Sequence, residues 1–184
     1  EIVPDFSGFF IPLAFKTYDD IDKVTTALLP ELKIKMNENG FELLNISDFG
    51  WVHWFSKEII KTPKDLKKQK FFTWAGDFRW EDIWVKAGYN PVPLASTDIL
   101  SGLQTGLINT IPTMPIYALS QQSFGIADNM LDLRWGVVMA GIIIDSKIWK
   151  RIPRKFHDQM INIANEILIK NKKINRESGK EAID

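Results

Sequence analysis

The segment from Lys86 to Pro115, KAGYNPVPLASTDILSGLQTGLINTIPTMP, constrains the fold more than any other part of the chain. It reads as a helix end, a strand, a short helix and a second strand, with a turn at each joint. Gly88 suits the left-handed residue that closes a helix. Pro91 and Pro93 fix φ and push their neighbours out of the helical region, so residues 90–95 are extended. Thr97 and Asp98 are expected to cap a helix whose apolar face is Ile99, Leu100 and Leu103, and Gly106 stops it. Leu107 and Ile108 then begin a buried strand ending at Pro112. Such a β-α-β step gives an α/β fold with a parallel sheet, whose ligands bind in a crevice at the strand ends.

The remaining chain follows the same grammar. Residues 18–39 read as a helix with Ile21, Val24, Leu28, Leu32 and Met36 on one face, kinked or broken at Pro30. Residues 41–46 read as a buried strand leading into residues 48–57, where Trp51, His53 and Phe55 alternate with Val52 and Trp54 as on a strand with two different faces. Thr62-Pro63-Lys64-Asp65 is a helix start, with Thr as cap, Pro in the first turn and Asp three residues on. A strand follows over residues 69–74, and Asp77 caps the next helix. Pro115 is expected to open a longer helix running through Leu131, before a buried strand over residues 133–144. Ser146 caps a turn around Trp149. A final amphipathic helix from Pro153 turns Phe156, Met160, Ile163, Ile167 and Leu168 inward and frays from Lys170.

Charge and composition remove several function classes. Lys plus Arg and Asp plus Glu number 23 each among 184 residues, so nothing favours nucleic acid or an anionic membrane. No apolar run approaches a bilayer span, and without cysteine there is no disulfide, thiolate metal site or cysteine nucleophile. Neither histidine has a carboxylate at ligand spacing: His157 reads as a solvated residue, His53 as a structural one. No nucleophile elbow, zinc motif or phosphate loop is present. These residues give no basis for an enzyme, a metal or a cofactor. Binding remains, and the seven Trp and twelve Phe supply rigid apolar area for it. Trp84 and Trp149 read as core, whereas Trp51, Trp74 and Trp135 lie at strand ends and are candidate ligand contacts.

The ordered motifs KTPKDLKKQKFFTW, then GYNPVPLASTDILSGLQTGLIN, resemble the substrate-binding (DctP-like) subunit of TRAP transporters. The resemblance runs over nearly the whole chain, with roughly the first third of a receptor absent. It implies an α/β, two-lobe periplasmic-binding-protein-like fold with crossing strands, a long hinge helix and a partial first lobe. Residues 1–49 and 133–184 would form that incomplete lobe with the C-terminal helices, and residues 50–132 the second lobe. Two lobes of this kind close on a ligand by hinge bending. The implied function is capture of a small-molecule ligand in the periplasm for membrane permease subunits, with no signal peptide in this chain. A sensory ligand-binding module of the same architecture is the alternative. Unpaired edges of the partial lobe, at residues 8–14 and 136–144, would favour self-association.

The family's carboxylate-binding arginine falls at Phe72, and a second common arginine falls at Val52. Asn109 stands at the family's acidic position, and the ligand-contacting asparagine falls near Thr113. Neither Phe nor Val replaces a bidentate guanidinium. The ligand is therefore expected to be apolar or aromatic and at most weakly acidic, or its acid is held by Arg79, Arg134 or the absent lobe. Phe72 and Trp74 share a strand face. With Trp51, Asn109 and Thr113 they are expected to converge on the cleft, unless Phe71 and Thr73 line it instead.

Overall fold

The computed structural model describes residues 2–183. Its first long element is helix α1, Tyr18–Glu38, started by a reciprocal cap. The Thr17 hydroxyl accepts from the Asp20 N–H at 3.1 Å, and the Asp20 carboxylate accepts from the Thr17 N–H at 2.8 Å. Of the kink or break expected at Pro30, a break does not occur: α1 continues through it. Pro30 and Thr26, whose carbonyl loses its helical partner, are both exposed residues, where such a loss costs least. Ile21, Leu32 and Met36 are buried as expected, but Val24 and Leu28 are exposed.

Strand β1 then runs from Phe41 to Ser56 without interruption. The Thr62–Asp65 capping box starts α2, Pro63–Leu66, with the Thr62 N–H donating to Asp65 at 2.9 Å. Strand β2 is Lys70–Trp74, α3 is Phe78–Lys86 and β3 is Asn90–Leu94. No side-chain cap opens α4, Ile99–Thr105; a 3-10 turn over Ser96–Asp98 leads into it instead. Gly106, at φ 74°, ends it in the left-handed region that glycine takes without strain. Strand β4 is Thr110–Thr113, later than the expected start, and Leu107 is exposed.

The expected long helix after Pro115 is instead a six-residue α5, Pro115–Ser120. Gln122 at φ 55° turns the chain out of it, and a 3-10 turn over Ser123–Gly125 follows. Strand β5 is longer than expected, Asn129–Asp145, and only Val137 in it is fully buried. Asp145 rather than Ser146 caps α6, Ser146–Arg151, accepting from the Lys147 and Ile148 N–H groups at 2.7 and 3.1 Å. Helix α7, His157–Glu181, continues well past Lys170.

One sheet contains all five strands in the order β3-β2-β4-β1-β5. β2 is parallel to both β3 and β4, and β1 is antiparallel to β4. The chain forms two compact units: one runs up to Trp51 and again from Gly136 to Ala182, the other from Val52 to Trp135. Both long strands, β1 and β5, pass from one unit into the other.

In the first unit, Val3, Phe9, Phe15, Ile21, Leu32, Met36 and Trp51 build a core. A second cluster gathers Leu44, Trp149 and Ala164 under the C-terminal helices. His157 is half-buried there rather than standing free in solvent. Its ring stacks on Trp149 at 4.0 Å, and Nε2–H donates to the Trp149 and Ile152 carbonyls at 3.2 and 3.0 Å. In the second unit the sheet carries a core on each face. Phe55, Phe72, Leu103, Ile108 and Ile111 fill one side, and Trp54, Ile60, Leu66 and Phe71 the other.

β5 is a sheet edge of 17 residues, with Leu133 and Ile143 exposed. A long open edge with apolar side chains is a template for another strand. The 184-residue chain is therefore expected to self-associate in sedimentation velocity as its concentration rises. A monomer that persists at high concentration would contradict this.

Candidate functional site

In the second unit, parallel strands β2, β3 and β4 end together at their carboxyl edge. β2 pairs with β3 so that Trp74 lies beside Leu94, and β4 pairs with β1 so that Thr113 lies beside His53. Continuing the β2–β4 register from Phe71↔Thr110 sets Trp74 level with Thr113. Leu94, Trp74, Thr113 and His53 thus form one row across four strands on a single sheet face. The row two residues earlier, Val92, Phe72, Ile111 and Phe55, belongs to the core. Phe72 is 4% exposed and Trp74 58% exposed, so the face leaves the core between these two rows. Their rings meet edge to face at 5.1 Å.

The connection after Trp74 extends the apolar surface. Asp77 caps α3 by accepting from the Trp80 N–H at 3.4 Å. Phe78, in the first turn, is 76% exposed rather than packed inward. Arg79, beside it, is exposed and has no ion pair among the described residues. This edge combines an accessible indole, an accessible phenyl ring, a hydroxyl and a guanidinium on neighbouring elements. Accessible aromatic surface beside a hydroxyl and a cation is the kind of lining that small-molecule sites use.

The six sequence candidates fall in different surroundings. Phe72, Trp74 and Thr113 share the face just described. Asn109 lies at the opposite end of β2, four residues from Trp74 along a strand, or about 13 Å. There it pins the start of two strands. Its Oδ1 accepts from the Lys70 N–H at 2.9 Å, and its Nδ2 donates to Gln69 Oε1 at 2.9 Å. Its carbonyl accepts from the Lys57 N–H at 2.9 Å. A carboxylate at this position could not donate to Gln69, which accounts for an amide here. The expected convergence of Asn109 with Trp74 is therefore not what the register produces.

Trp135 stacks on Trp84 at 5.9 Å and meets Trp54 edge-on at 5.4 Å, within the opposite-face aromatic cluster. Trp51 is 6% exposed in the core of the first unit, its ring 5.2 Å from Tyr18. Sequence reasoning missed Leu94, Phe78 and His53 as members or neighbours of the row. Strand parity was available for Leu94 and His53, but register was not.

His53 is 3% exposed, and its Nδ1–H donates to the Leu131 carbonyl at 3.2 Å. Burial holds its pKa below the ordinary histidine value of 6.5, against a smaller opposing effect of that hydrogen bond. The folded chain thus keeps His53 neutral where the unfolded chain takes up a proton. The associated stability is full above about pH 6.5 and is lost as the pH falls toward the folded pKa. Between about pH 6.5 and 5 the wild type should lose stability more steeply than His53→Gln in urea titrations. Parallel curves would refute the assignment.

Three comparisons bear on this arrangement. The model of the family described as "DctP: Bacterial extracellular solute-binding protein, family 7" matches residues 1–184. The C4-dicarboxylate-binding periplasmic protein DctP of Vibrio cholerae is 28% identical over 176 residues, covering 94% of this chain and 51% of that protein. The ectoine-binding periplasmic protein TeaA of Halomonas elongata is 28% identical over 116 residues, covering 59% of this chain and 33% of that protein.

Among solved structures, a TRAP periplasmic solute-binding protein from Pseudomonas aeruginosa with bound L-malate superposes at a TM-score of 0.88 and 16% identity. It is matched over 98% of this chain and 63% of its own. The periplasmic ectoine-binding protein of the Halomonas elongata TRAP transporter superposes at 0.87 and 19% identity, over 100% of this chain and 60% of its own. The matches thus span about a third to three fifths of the length of these relatives. Its α/β fold is that of the two-lobe TRAP binding proteins, and the relatives are transport proteins rather than enzymes. With the family model matched from end to end, the chain belongs to the bacterial extracellular solute-binding proteins of family 7.

Proposed function

We propose that this chain is part of the extracytoplasmic solute receptor of a TRAP-type transporter. It takes up a small organic ligand at the carboxyl edge of β2, β3 and β4 and passes it to membrane permease subunits. The ligand has a flat or apolar body and one polar or weakly acidic end. Trp74 carries the reading: a large indole more than half exposed at the end of an otherwise buried strand, level with Leu94 and the Thr113 hydroxyl. Aromatic surface left accessible at parallel strand ends is what such sites use to enclose a ligand body. Phe72, below it, offers no charge, so an acidic end would turn outward to Arg79.

Calorimetry with L-malate, pyroglutamic acid, β-D-galacturonate and ectoine as probes tests the site. Each is bound by at least one relative of this fold. Trp74→Ala should weaken whichever probe binds by about tenfold, roughly the effect of losing one aromatic contact. Because Trp74 is exposed, the melting temperature should barely move. Unchanged affinity in Trp74→Ala would remove this edge as the site.

A further inference from the structure

The C-terminal half of α7 is polar, and within the first unit Arg176 ties it to both α1 and β1. The Arg176 Nη1 and Nη2 donate to Asp22 at 3.1 and 2.6 Å. Its Nε and Nη2 donate to Asp48 at 3.0 and 2.6 Å. Asp48 is 1% exposed, on β1. The face of the same guanidinium lies 4.1 Å above the Tyr18 ring, and Tyr18 in turn lies 5.2 Å from Trp51. Lys172 makes a second ion pair to Asp22 at 2.5 Å.

A tie between helix and strand would need only one carboxylate. Here both edges of the guanidinium fork and its flat face are engaged, a combination only arginine offers. Between Asp48 and Trp51 the backbone passes through Gly50 at φ 126°, where no side chain restricts it. Beyond it the Trp51 ring packs against Tyr18, which carries the Arg176 guanidinium on its own ring. Trp51 is also the last β1 residue of its unit.

We propose that Arg176 is the positioning residue for Trp51, so that the C-terminal helix tunes ligand affinity from a point remote in sequence. The positioning half stands on this geometry; the affinity half rests on the sequence expectation that Trp51 is a ligand contact, although the structure places it within β1 rather than at a strand end.

Near-ultraviolet circular dichroism reads the positioning directly. The difference between wild type and Trp51→Phe defines the Trp51 band. Arg176→Lys keeps the charge but loses the fork and the flat face, and should lose more than half of that band. The double variant Arg176→Met with Asp48→Asn leaves no buried unpaired charge and should do the same while remaining folded. Lys172→Met removes an ion pair to the same Asp22 while keeping Arg176, and should leave the band intact. A band that survives both Arg176 variants overturns the proposal, as does a Trp51→Phe spectrum equal to wild type.

The affinity half is read by calorimetry on the same variants with L-malate and ectoine as probes. A drop of about tenfold in the Arg176 variants but not in Lys172→Met supports it. If the band is lost and the affinity of a bound probe is unchanged, Trp51 is no ligand contact and the affinity half falls while positioning stands. If wild type binds neither probe, the affinity half is overturned for these ligands and the spectra still decide the positioning half.

Discussion

Phe72→Arg is expected to destabilise the chain by about 3–5 kcal/mol rather than restore a carboxylate anchor. The family's arginine is expected at this position, so the substitution looks like a repair. Yet Phe72 is 4% exposed and packs with Leu103, Ile108, Ile111, Ala118 and Ala127, none of which can pair a guanidinium. The charge would be desolvated without a partner and the aromatic contact with Trp74 lost. Urea unfolding measures this as a lower midpoint at unchanged slope. A loss below about 1 kcal/mol, the range of ordinary surface changes, together with new binding of L-malate, would mean that Phe72 faces a ligand.

Arg176→Met alone should cost a similar amount, about 3–5 kcal/mol, because it leaves Asp48 buried and unpaired. Asp22 should suffer less, since Lys172 still reaches it and water does too. Adding Asp48→Asn should recover much of the loss, since the amide carries no charge to desolvate. That non-additivity is the signature of a coupled buried pair. Additive losses would place the two residues in independent roles.

Local chemistry was readable from the sequence. The Thr62–Asp65 cap, the stop at Gly106 and the extended Asn90–Leu94 strand each depend on residues within one turn. The parallel step around β2 and β3 followed from these and from the prolines. What could not be read depended on distant partners. α1 passes through Pro30 on an exposed stretch, a matter of exposure rather than of pattern. α7 extends beyond Lys170 because Arg176 meets Asp22 and Asp48, far away in sequence. His157 looked solvated until Trp149 folded back under it. Asn109 was placed by its neighbours in the motif, but register moves it to the other end of β2 from Trp74. Register also explains why Leu94 and His53 were missed, since parity assigns faces but not rows.

Indole amide resonances of the seven tryptophans offer the most direct test of the carboxyl-edge site. With nitrogen-15 labelling, each gives one signal, and single Trp→Phe variants assign them. On titration with a probe that binds by calorimetry, Trp74 is predicted to shift most. Trp54 and Trp149, buried in their cores, should stay in place. A saturable binding isotherm with no movement of the Trp74 signal would contradict the account.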